Sequence, residues 1–192
     1  MLFCTKDYLF FLLGVLAVYW ALPYRRARVW LLLGASFAFY AAWSKELACV
    51  VAGSSALDFV IARAMAASGG KKRKVLLLIS LGMNLSLLVY FKYANFFIAS
   101  FHQLLTQLGT AVSLPVLQVV LPIGISFYTF EAINYAVDVY RGKMPPEENL
   151  ADFMLFILFF PHLVAGPIVR ARDFLPQIKR PKRWGWTRVR QG

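Results

Sequence analysis

Acidic side chains are scarce here: 9 Asp and Glu stand against 21 Lys and Arg in 192 residues. Charged residues of both signs total only 16%, where about 25% is usual for a soluble domain. There are two cysteines, Cys4 and Cys49, and two histidines, His102 and His162. The cysteines lack metal-site spacing and define no disulfide framework. Nucleophile elbow, phosphate-binding Gly-rich loop, metal-ligand motif, internal repeat and long polar linker are all missing. These absences leave metal-dependent hydrolysis without support, imply no cofactor, and leave no seam at which to divide residues 1–192 into domains.

What fills the space is apolar. Hydrophobic residues make up 60% of the chain and Phe alone occurs 17 times, against about 45–50% apolar in soluble proteins. A soluble domain of this size has too little interior for so much apolar surface, and disorder is excluded by the same richness. The net charge of +12 comes without zinc spacing, basic recognition helix or aromatic RNA-binding strand, so it points away from nucleic acid. Basic loops facing an anionic leaflet account for it better.

The expected fold class is all-α, a polytopic integral membrane protein whose partner is the lipid bilayer. Apolar runs at 8–24, 29–44, 47–65, 75–91, 93–108, 116–140 and 153–169 read as seven spans. The stretch 75–108 as one helix reaches about 51 Å, beyond the roughly 30 Å hydrocarbon core, so two spans meeting near Lys92 and Tyr93 are expected. Arg25, Arg26 and Arg28, the cluster Lys71 to Lys74, and the tail from Arg170 to Arg190 then share one face. The positive-inside rule makes that face cytoplasmic, with the N-terminus outside and the C-terminal tail inside. Arg141 and Lys143 fall on the opposite face, in a polar external loop ending at Asn149, a residue suited to cap the next helix.

Two stretches carry unusual chemistry. In the first, Pro122 and Gly124 suggest a broken or bent start to a helix, tolerated in a membrane only inside protein or beside a wet cavity. Tyr128, Glu131, Tyr135 and Asp138 then recur at spacings of three and four, with Asn134 at the edge of their face. This face either lines a substrate or acyl-donor passage or forms a buried polar network that fixes packing. In the second, Pro161 and Pro167 forbid a regular uninterrupted helix. His162 lies between them as either a general base or, more simply, a structural histidine without a partner at defined spacing. Arg170 and Arg172 suit either a phosphate-bearing donor or the inner boundary. Asp58 and Arg63 are spaced too poorly for a helical pair, and Asn84 suits an interhelical hydrogen bond.

The run from Leu121 to Gly142, Phe160-Pro161, and Ala165-Gly166-Pro167-Ile168 through Arg170 together resemble the membrane-bound O-acyltransferase family, most of all its bacterial alginate O-acetyltransferase branch. Leu81-Gly82-Met83-Asn84-Leu85 and Phe91-Lys92-Tyr93-Ala94-Asn95-Phe96-Phe97 add to the likeness. The resemblance implies a helical bundle with broken or re-entrant helices around a passage in the bacterial inner membrane. An acyl donor would arrive from the cytoplasmic side and a polysaccharide acceptor such as alginate would be exported, with polysaccharide-modification proteins as partners. The family's principal histidine lies in a later segment that nothing here matches. The resemblance therefore places it beyond Gly192, gives that role to neither His102 nor His162, and implies an N-terminal portion of one domain, inactive alone. D-alanyl transfer to a cell-wall polymer is the neighbouring alternative. A non-enzymatic scaffold or part of a transporter is the rival class.

Overall fold

The computed structural model describes residues 6–108, 124–165 and 169–180, without the side chains of 163–165. All regular structure among them is helical. Helix α1 (Lys6–Ala21) and helix α2 (Arg25–Ala41) form an antiparallel pair broken at Pro23. Tyr8 and Phe11 at the start of α1 meet Phe39 near the end of α2. Helix α3 (Lys45–Ala66) starts where the Ser44 side chain accepts from Leu47 N at 3.2 Å, an N-cap that satisfies an otherwise orphaned amide. It ends at the turn before Gly69, the N-cap of helix α4 (Gly70–Leu88).

Here the structure departs from the expected two spans. A π-helical segment, Val89–Tyr93, carries α4 directly into helix α5 (Ala94–Gln107), so 75–91 and 93–108 belong to one continuous 38-residue rod. A charge inside an apolar run suggests a boundary, but the wider π turn keeps the chain helical. Lys92 Nζ there donates to Ser126 Oγ at 3.3 Å. Among the described residues two helices, α3 and the rod Gly70–Gln107, are long and apolar enough to cross a membrane.

Helix α6 (Ile125–Tyr140) begins at Gly124 with φ +72°, a left-handed backbone that glycine adopts without strain. This agrees with the expected irregular start; the rest of the run 116–140, from 116 to 123, lies outside the described residues. Arg73 on α4 donates from Nη2 to the Val139 and Tyr140 carbonyls at 3.0 and 2.7 Å. A cation thus closes the negative end of α6, and the C-terminal end of α6 lies beside the basic start of α4. The loop after it, with Arg141 and Lys143, therefore shares a face with Arg25 and Arg73. This corrects the expected opposite placement, and the physical reason is the rod: one fewer reversal moves the 141–149 loop to the other side, while the α7–α9 hairpin, which returns instead of crossing, leaves the end of α9 on the expected face.

The run 153–169 is not one helix either. Asn149 caps helix α7 (Leu150–Leu158), accepting from Ala151 N at 2.9 Å and Asp152 N at 3.3 Å, as its position suggested. At nine residues, α7 rises only about 14 Å. Phe159 leaves the helical region with ψ 105°. Helix α8 (Phe160–Ala165) follows, with Pro161 in its first turn, where no amide is needed. Pro167 lies outside the described residues. Helix α9 (Ala171–Lys179) then returns, and Lys179 Nζ meets Glu147 in the loop before α7 at 2.8 Å. The segment α7–α9 is a hairpin with both ends on the basic face.

The main core lies where α3, α6 and α7 meet. Met65, Tyr128, Tyr135, Phe153 and Phe156 are almost wholly buried there. A second cluster of Val15, Ala35, Phe39 and Phe160 seats the tip of the hairpin against α1 and α2, where Phe160 N donates to Ser36 Oγ at 3.2 Å.

Candidate functional site

Helical spacing turns Tyr128, Glu131 and Tyr135 inward from α6, where all three are buried. Asp138 is half-buried near the end of α6, and Asn134 is exposed. The expected polar face is therefore an interior stripe of three side chains with two at its margin. Tyr135 Oη accepts from Glu147 N at 2.8 Å, which fixes the 141–149 loop. Tyr128 Oη and the adjacent Thr129 Oγ1 are buried without a hydrogen-bond partner among the described residues.

Glu131 joins the two stretches that the sequence singled out. Its Oε1 accepts from Val169 N at 3.2 Å, one residue before Arg170. Arg170 is exposed and caps α9 through its backbone: its carbonyl accepts from Asp173 N at 2.9 Å and Phe174 N at 3.1 Å. No ion pair joins it to Glu131 among the described residues. A single carboxylate from α6 thus holds the returning arm of the hairpin at Val169, which is half-buried.

His162 sits inside the hairpin turn. Its ring packs edge-on to Phe159, at 4.9 Å between centroids, and to Phe174, at 5.4 Å. Nδ1 is buried without a hydrogen-bond partner among the described residues. His162 and Val169 line a cavity of about 470 Å³, whereas Tyr128, Glu131, Asn134, Tyr135, Asp138 and Arg170 do not. His162 and the polar stripe of α6 therefore face different spaces. His102, on α5, is exposed.

Three further groups organise the polar interior. Asp58 on α3 accepts from Ser80 Oγ at 2.7 Å and from Asn84 Nδ2 at 2.9 and 3.0 Å; all three residues are buried. Asn84 thus makes the interhelical bond its position suggested. Arg63 instead lies over the Phe59 ring at 5.5 Å. Asp152 pairs with Arg25 at 3.1 Å. Glu147, read from the sequence only as part of an external loop, is buried and accepts from Glu148 N and Asn149 N. Its placement between Pro145-Pro146 and the capping Asn149 was the available signal.

Among the described residues the chain is helical, with two apolar helices of membrane length and a broken hairpin fastened to a buried acid, which is consistent with a helical membrane protein. The acyltransferase resemblance is borne out by homologues: the chain is homologous to the bacterial alginate O-acetylases. It is 40% identical over 179 residues to the probable alginate O-acetylase AlgI of Pseudomonas putida, covering 92% of this chain and 37% of the relative. Against the protein of the same name from Pseudomonas aeruginosa it is again 40% identical, over 92% of this chain and 34% of the relative. A peptidoglycan O-acetyltransferase of Helicobacter pylori is 29% identical over 79% of this chain and 32% of its own length. The chain thus spans about a third of the length of the curated relatives it matches. No protein-family model matches it, and no solved structure does.

Proposed function

We propose that this chain forms part of a bacterial membrane O-acyltransferase that acetylates an exported polysaccharide such as alginate. The observation that carries this reading is 40% identity to alginate O-acetylases across 92% of the chain. Scaffold, transporter and D-alanyl-transfer readings have no comparable support.

The fold suits the proposal in a specific way. α1, α2, α3, the rod and α6 each run between the two faces, and α7–α9 enters and returns. With the basic face cytoplasmic, the start of α1 at Lys6 lies outside and the end of α9 at Lys179 inside. Glu131 and Tyr128 then form a wall of the acyl passage, with the α7–α9 hairpin closing one side of it. A buried acid facing irregular backbone suits a wet or substrate-filled path better than lipid. The base that activates the acceptor hydroxyl is assigned to none of the described residues, so the chain alone is expected to be inactive.

A chimera tests this. The matching segment of the Pseudomonas putida relative is replaced by this chain in cells lacking their own alginate acetylation, and acetyl ester on the secreted polymer is measured. Restored acetylation supports the proposal. A chimera that inserts stably yet acetylates neither alginate nor peptidoglycan refutes it. Ester on peptidoglycan alone moves the acceptor to the one named by the Helicobacter pylori relative. In the active chimera Glu131→Gln keeps an oxygen for Val169 N but removes the charge. The expected outcome is normal abundance with acetylation reduced by at least about tenfold; unchanged acetylation ends the passage-lining role.

A further inference from the structure

The cavity beside the hairpin has a polarity gradient along its depth. At the basic face it is lined by Arg25, Arg28, Gln177 and Arg180. Further in, its wall is Leu16, Leu32, Leu155, Phe159 and Phe174, with His162 set among the aromatics. On α2, Arg25 and Leu32 lie seven positions apart, so the change from charge to hydrocarbon takes about 10 Å. Among the lining residues there are three arginines and no acid.

The mouth is built rather than incidental. Arg25 is held by Asp152, whose side chain is only 2% exposed. Arg28 donates from Nε to Leu22 O at 2.8 Å, and its guanidinium lies 5.0 Å from the Tyr19 ring centroid and 5.5 Å from that of Trp20. These contacts fix the guanidinium groups of Arg25 and Arg28 at the cavity's edge. A volume of about 470 Å³ falls within the usual range of ligand pockets, roughly 300–1,000 Å³. It has room for an anionic headgroup and part of an acyl chain, with the remainder continuing into the bilayer.

We propose that this cavity binds an anionic phospholipid from the leaflet at the basic face, its phosphate at Arg28 and Arg180 and its chain along Leu32 and Leu155. Interhelical basic pockets on a cytoplasmic face commonly take such headgroups, and the apolar inner wall selects an acyl-bearing phosphate over a free one. The His162 ring, packed edge-on to Phe159 and Phe174, completes the inner wall. Lipid binding at this cavity stands apart from acyl transfer and survives or fails independently of it.

The test is retention of lipid by the chain purified in mild detergent, read by native mass spectrometry against equimolar phosphatidylglycerol and phosphatidylcholine. The expected result is preferential retention of phosphatidylglycerol, falling about tenfold or more in the double variant Arg28→Gln, Arg180→Gln. Because Arg28 also holds the Leu22 carbonyl, two further variants guard against misfolding. Arg180→Gln alone is expected to give a partial loss, and Leu32→Trp, which fills the apolar end, a loss with all charges intact. Equal retention of the two lipids, or retention unchanged by all three variants, overturns the proposal. Displacement of phosphatidylglycerol by a soluble phosphate-bearing acyl thioester at comparable concentration also overturns it, assigning the cavity to a donor instead.

Discussion

Glu147 is buried at 4% exposure, yet its carboxylate meets Lys179, Glu148 N and Asn149 N, and its own amide donates to Tyr135. Replacing it with Ala strands the two amides and removes the clasp between the 141–149 loop and α9. The expected loss is about 2 kcal/mol, read as a lower Tm in detergent. Lys179→Met, whose parent side chain is half exposed, is expected to cost no more than about 1 kcal/mol. In the Asp58 network, Asn84→Ala removes both of its bonds to a buried carboxylate and is expected to cost about 1–3 kcal/mol. A double-mutant cycle with Ser80→Ala would show coupling, because the two donors share one acceptor. Residue by residue, legibility followed distance along the chain. The Asn149 cap and the poor spacing of Asp58 with Arg63 are local facts. The ties of Glu147 to Lys179 and of Glu131 to Val169 need the fold, since no spacing rule reaches that far.

Among the elements, the π segment Val89–Tyr93 carries α4 into α5 without a reversal and sets the rotation of one against the other. Deleting Tyr90 is expected to restore α-helical winding and rotate α5 by about 100° against α4, carrying Lys92 away from Ser126. A short bifunctional thiol reagent should bridge Lys92→Cys to Ser126→Cys in the parent and fail after the deletion; equal yields would show that the wide turn does not fix the rotation. Asn149→Ala is expected to weaken the start of α7 by about 1 kcal/mol. The first three apolar runs were legible, because Pro23 and Ser44 mark their limits with local chemistry. The rod was not, because a lysine in an apolar stretch signals a surface whether the helix ends there or continues. The hairpin was half legible: the prolines announced a break, but a reversal toward the starting face depends on Phe159, Val169 and Lys179 finding their partners on other elements.

Across the whole molecule, the side assigned to each loop is the sharpest consequence. With Cys4 and Cys49 replaced by Ser, single cysteines at Ser68 and Lys143 are expected to label with an impermeant maleimide only from the cytoplasmic side, and one at Trp43 only from the other. Labelling of positions 68 and 143 from opposite sides would restore the two-span reading of 75–108. The bundle also gathers more positive charge on one face than the sequence assigned to it, since Arg141 and Lys143 join Arg25 and Arg73 there. Composition led to the expectation of apolar helices long enough to cross a membrane, and α3 and the rod have that length. Composition left open how many times the chain crosses, because that number rests on the π turn and on the re-entrant hairpin.

The hairpin has a consequence in time. Each group that receives it comes earlier in the chain: Arg25 for Asp152, Ser36 for Phe160, Glu131 for Val169 and Glu147 for Lys179. During synthesis α1 to α6 emerge before any of these contacts can close, so the hairpin is the last of the described pieces to dock, into a receptacle already assembled. Until then Glu131 and Ser36 face an open slot. A ribosome stalled with residue 150 just emerged would thus hold a body that is inserted but unlatched, the state most exposed to membrane proteolysis.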